Sequence, residues 1–68
     1  MAKMTMRAAR INANLTQKVA ADIFGVSNKT LSHWENGVSF PSADKIPLIC
    51  ETYRVEYNDI IFLINDSL

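Results

Sequence analysis

The sequence predicts an all-α fold of five short helices. Apolar residues recur at helical spacing, each such run is bounded by a capping or turn residue, and no segment alternates with period two over a useful length. A chain of 68 residues with 49% hydrophobic and 21% charged residues, two Gly and two Pro has the composition of a small helical globule. A domain this small buries only about 60% of its unfolded surface, so its core must be regular.

The first helix is expected from Thr5 to Ala13, with Met6, Ala9 and Ala13 as one apolar stripe and Asn14 as a left-handed stop. Thr16 is a good N-cap for a second helix running through Phe24 to Gly25. Ser27 caps a third, Asn28 to Glu35, which ends at the Asn36-Gly37 stop signal. Pro47 decides where the fourth helix begins. With Asp44 or Lys45 at its start, the proline falls in the first turn, where no intrahelical N–H bond is required, and the helix runs to about Tyr53. A fifth helix is expected from Tyr57 to Leu63, within a run of five apolar residues from Ile60 to Ile64. The organisation read from this pattern is one domain over residues 1–68, with its central helix pair at about 16–36.

Several function classes are excluded early. A single Cys and a single His cannot supply a zinc site of those ligands alone, and one Cys makes no internal disulfide. Cys50 reads as core packing and Trp34 as core; Asp59 and Asp66 are too isolated for a metal or acid–base pair. Met1, Met4 and Met6 read as a frayed start plus one core residue. The longest apolar run is far short of the ~20 residues of a membrane span, and no signal-peptide pattern is present. The expectation is a cytoplasmic, non-enzymatic domain with no cofactor, no metal and no membrane association.

The zero net charge divides unevenly. Residues 1–45 carry six basic residues against three acidic ones, and residues 46–68 carry one against four, so +3 faces −3. That asymmetry suggests a mildly basic working face. The pair of helices joined by Gly25-Val26-Ser27 has the short glycine-containing connection of a helix-turn-helix. At about 100° per residue, placing Leu31 inward brings Trp34 and Glu35 with it. Lys29, Ser32, His33 and Asn36 then point outward, flanked by Asn28 and Thr30. Amides, a lysine and hydroxyls are what base edges of the major groove can bind, whereas an ordinary solvated helix face favours long Glu, Lys and Arg.

The run LTQKVAADIFGVSNKTLSHWENGVSFPS resembles the Cro and cI-type repressor helix-turn-helix family. Matching features are Thr16-Gln17 opening helix two, Ala21, Gly25-Val26-Ser27, Glu35-Asn36-Gly37, Pro41-Ser42 and Val55. The resemblance implies a compact lambda-repressor-like domain that binds duplex DNA and regulates transcription, read here as a repressor from a bacterium or phage. It implies a backbone phosphate contact for Gln17 and base readout for Asn28, Lys29 and His33. Thr30 and Ser32 support them, Asn36 and Lys45 are further phosphate contacts, and Val38, Ser39 and Phe40 approach the backbone. It also implies an internal ion pair between Arg10 and Glu35. So small a domain is expected to act as a homodimer on a pseudo-palindrome, joined through the segment at about 57–68 by Ile61, Phe62 and Ile64.

Ala20 stands where the family has Leu, so Phe24 or Trp34 must fill that volume. Arg54 stands where it has Gly. Val19 and Ile23, on the expected polar side of helix two, either pack against helix one or offer a contact to a protein partner. Two alternatives therefore stand beside the repressor: an antitoxin that regulates its own operon while holding a toxin, and an interaction adaptor that keeps the fold.

Overall fold

The computed structural model describes residues 3–62. Four α-helices follow in order: α1 Met6–Asn12, α2 Gln17–Phe24, α3 Asn28–Glu35 and α4 Ile46–Tyr53. A short 3-10 turn covers Tyr57–Asp59. Two two-residue strands, β1 Met4–Thr5 and β2 Ile60–Ile61, pair in parallel, Met4 opposite Ile60 and Thr5 opposite Ile61.

The helix starts follow from hydroxyl caps. Thr5, Thr16 and Ser27 are all extended, and each accepts a hydrogen bond from the backbone N–H three residues on, at 3.1, 3.2 and 3.0 Å. The stops follow from left-handed residues: Asn14 (φ 61°), Gly25 (φ 70°), Gly37 (φ 76°) and Arg54 (φ 56°). Helix α4 has no side-chain cap; Lys45 holds the cap position and places Pro47 in the first turn, where it removes no helical bond.

The expected fifth helix does not form over the described part of its range. After the 3-10 turn the chain becomes extended, and Ile60 and Ile61 alternate as strand residues do, Ile60 buried and Ile61 43% exposed. The physical reason is the free edge of Met4–Thr5. An extended, β-branched Ile60-Ile61 finds backbone partners there while still delivering Ile60 to the core. Met4 is correspondingly half-buried in the ladder rather than frayed. Met1, Leu63, Ile64 and Asp66 lie outside the described residues.

The core is one cluster of Met6, Ala9, Ala20, Ala21, Phe24, Leu31, Trp34, Ile49, Tyr53 and Ile60. Ala20 is fully buried with Phe24 and Trp34 in the same cluster, so large aromatics accompany the small side chain. The Phe24 and Tyr53 rings meet edge to face at 5.4 Å, joining α2 to α4. Cys50 packs half-buried against this core, and burial pushes its thiol up. No helix among the described residues is long and apolar enough to cross a membrane.

Candidate nucleic-acid interface

Helix α3 turns two faces in opposite chemical directions. Leu31, Trp34 and Glu35 are buried; Asn28, Lys29 and Asn36 are exposed, with Thr30, Ser32 and His33 half-buried beside them. The outward set is the one the 3.6-residue period selects.

Behind that face lies a polar network. Arg10 Nε donates to Glu35 Oε2 at 2.8 Å, with side-chain exposures of only 11% and 3%. Its Nη2 reaches Glu35 Oε1 at 3.4 Å, and its Nη1 donates to the Leu15 carbonyl at 2.9 Å. Gln17 Nε2 donates to Glu35 Oε1 at 3.2 Å, and Asn28 Nδ2 donates to Gln17 Oε1 at 3.1 Å. One chain of bonds thus runs from the α1–α2 loop through the buried carboxylate to the first residue of α3. The sequence placed Arg10 and Glu35 toward each other, but nothing in it linked Gln17 to both Glu35 and Asn28, because that contact depends on how α2 and α3 cross.

The network sets what the outward groups can still bind. With one N–H given to Gln17, Asn28 keeps its carbonyl oxygen and a second N–H, the donor–acceptor pair that an adenine edge matches in the major groove. Ser27 donates its hydroxyl to Thr30 Oγ1 at 2.9 Å, leaving the Thr30 hydroxyl proton to another acceptor. Asn36 Nδ2 donates to the Ser32 carbonyl at 2.9 Å and to Ser32 Oγ at 3.2 Å, tying those two residues together. The side chains of Lys29 and His33 make no hydrogen bond among the described residues, and stand beside Asn28 as the open donors of the face.

Lys45 is placed differently. Its half-buried stem brings Nζ to the Phe24 carbonyl at 2.8 Å, at the end of α2, a bond that no local pattern of residues foretells.

Other surfaces are apolar. Val19 and Ile23 are 45% and 44% exposed, and Ile11 on α1 is exposed as well. Helix α1 therefore does not cover the pair. On another part of the surface Phe40 and Tyr57, both more than half exposed, each meet the Phe62 ring at a tilt, with centroids 5.9 and 5.8 Å away. That cluster was not legible, since it needs the loop after α3 and the C-terminal strand to meet. Among the described residues no group of His, Cys, Asp and Glu could hold a metal ion.

Comparison with known proteins agrees with the geometry. Residues 6–60 match the model of a helix-turn-helix family. The chain is also similar to the antitoxin PezA of Streptococcus pneumoniae serotype 4, at 39% identity over 56 residues, which make up 82% of this chain and 35% of that protein. The chain thus spans about a third of the length of this curated relative.

Proposed function

The chain belongs to the Cro/cI-type helix-turn-helix family of DNA-binding regulators, and from that premise we propose that it is a sequence-specific repressor that reads a pseudo-palindromic operator as a homodimer. The observation that carries this reading is the outward face of α3, where Asn28, Lys29 and His33 present donors and acceptors with no carboxylate among them. Lys29 and His33 read bases, Asn28 prefers adenine, and Thr30 and Ser32 add shorter contacts. Gln17 bonds a phosphate through its second N–H and so sets position rather than sequence, and Asn36 can add such a contact only by releasing the bonds its amide donates to Ser32. Two copies join through the C-terminal segment, where Ile61 is exposed and Phe62 lies against Phe40 and Tyr57. Ile64, also expected there, lies outside the described residues. The reading requires no cofactor.

Selection from a random duplex pool, followed by binding assays, tests this. Lys29→Ala and His33→Ala each cost about 1–3 kcal/mol on the selected site and relax preference at particular base pairs. Gln17→Ala weakens non-specific binding through the lost phosphate contact, and weakens specific binding somewhat more because Asn28 loses the partner that orients it. If both reading residues can be removed without altering the selected sequence, the assignment fails.

A second reading is favoured by the relative's description as an antitoxin. In it the same domain regulates its own operon while a protein partner is held, with the exposed Val19 and Ile23 as the contact. Val19→Glu with Ile23→Glu separates the two: partner capture is lost and operator affinity is kept.

A further inference from the structure

The basic residue before α4 is engaged inside the molecule rather than offered to solvent. Lys45 Nζ donates to the carbonyl of Phe24 at 2.8 Å, in a part-buried setting. Two earlier carbonyls at the end of α2 are already used, Ala21 by the Val26 N–H at 3.0 Å and Asp22 by the Gly25 N–H at 3.2 Å. Phe24 is the last helical residue, and its carbonyl has no partner within the helix. A cation there is favoured by the negative end of the helix. The ammonium also lies 3.6 Å from where a Cβ on Gly25 would stand, so it sits against the turn itself.

The two bonded residues are 21 positions apart. Between them lie the turn, all of α3 and the loop that returns to α4. A single charge-assisted bond therefore closes a ring of chain whose contents are the proposed reading helix and its two connections. Within the ring, α3 is capped at its start by Ser27, and the loop folds back through the Val38 and Ser39 N–H groups onto the His33 carbonyl at 2.9 and 3.3 Å. The Lys45 bond joins those two ends.

We propose that Lys45 is a positioning residue of the DNA-reading unit, whose ammonium closes this ring and holds α3 at its reading angle, and that it is not a phosphate ligand. The inference rests on the reading of the chain as a DNA binder. The Phe24 carbonyl takes one of the three ammonium N–H groups and fixes Nζ against the turn between α2 and α3, so that it cannot swing out along the DNA backbone as the unbonded Lys29 can. Lys45 therefore contributes to discrimination between sequences and not to the salt dependence of binding.

The experiment measures affinity of the full chain for its selected duplex and for a random-sequence duplex between about 50 and 200 mM salt. Three proteins are compared: unaltered, Lys45→Met, which keeps the aliphatic stem, and Lys45→Arg, which keeps a cationic donor. Lys45→Met should lower affinity for the selected duplex about tenfold, a loss in the range of one charged hydrogen bond. Random-duplex affinity and the salt slope should be unchanged, and Lys45→Arg should recover most of the loss. An equal loss on both duplexes, with a slope shallower by about 0.9, would mark a phosphate contact and overturn the proposal. So would a Lys45→Met protein with an unchanged specificity ratio.

Should Lys45→Met fail to fold, nitrogen-detected NMR of the unaltered protein decides the point. The Lys45 ammonium should exchange its protons more slowly than those of Lys18 and Lys29 without DNA, and should not shift when the selected duplex is added. A fast-exchanging Lys45 ammonium, or one that shifts with the duplex, overturns the proposal. If the unaltered protein binds no duplex at all, the DNA-binding reading falls, and a protected ammonium would then show a ring without its reading role.

Discussion

Removing one side of the Arg10–Glu35 pair should destabilise the domain severely, and removing both should restore part of the loss. The Glu35 side chain is 3% exposed and Arg10 11%, so neither charge can return to water without moving the helices that carry it. In Arg10→Met the carboxylate keeps only the Gln17 amide, which lies 3.2 Å away. An uncompensated charge at such a site costs ~3–5 kcal/mol. The whole domain, at 68 residues, should have a stability of only about 3–10 kcal/mol. Arg10→Met should therefore be partly unfolded at room temperature. Glu35→Leu should be milder, because Arg10 retains the Leu15 carbonyl and the wetter edge of the site. In the double variant no stranded charge remains, and a coupling energy of about 2–3 kcal/mol should appear across the cycle. Urea unfolding followed by far-ultraviolet circular dichroism, run on all four proteins at low temperature, measures it. Single losses below about 1 kcal/mol that simply add would mean two independent surface charges and would refute the account.

Three other perturbations test separate parts of the structure. Arg54 is non-glycine at φ 56°, so Arg54→Gly should raise stability by about 1 kcal/mol; an unchanged thermal midpoint would mean that the turn is unstrained. Burial, with the Glu35 charge adding to it, pushes the Tyr53 hydroxyl well above its ordinary value of 10.0. The folded protein then holds that proton after the unfolded chain has released it, so this contribution is intact below about pH 10 and is lost as pH rises beyond it. Tyr53→Phe should lessen the alkaline fall, and identical pH profiles would contradict the assignment. Phe62→Glu places a charge against Phe40 and Tyr57 and should lower operator affinity by weakening the proposed dimer while the helices persist. Sedimentation of the unaltered protein as a monomer at high micromolar concentration, with full operator binding, would reject that surface.

What could be read from the sequence was local. The caps at Thr16 and Ser27, the left-handed stops at Asn14 and Gly37 and the inward triad of Leu31, Trp34 and Glu35 are each decided within one or two helical turns. The C-terminal segment failed for the complementary reason. A run of apolar residues from Ile60 suits a buried helix or a strand equally, and the deciding partner, Met4–Thr5, is 56 positions away. The β-branched pair Ile60-Ile61 was the available signal. Within the candidate interface, residue types and facing were legible; bonds such as Asn28 to Gln17 and Lys45 to Phe24 were not, since they depend on crossing angles and on side-chain reach.

The parallel pairing of Met4–Thr5 with Ile60–Ile61 also determines how the domain bears tension. Drawing the chain outward ahead of Met4 and beyond Ile61 pulls the two strands past one another along their length. The bonds between them are then strained together in shear, whereas an antiparallel hairpin pulled at its open end would unzip rung by rung. The helices lie between the two strands in the sequence and are shielded from the load while the ladder holds. Once it slips, the packing of Ile60 against the core is lost at the same moment, so the domain should yield in one abrupt step, with its weakest point at the ladder and not at the reading helix.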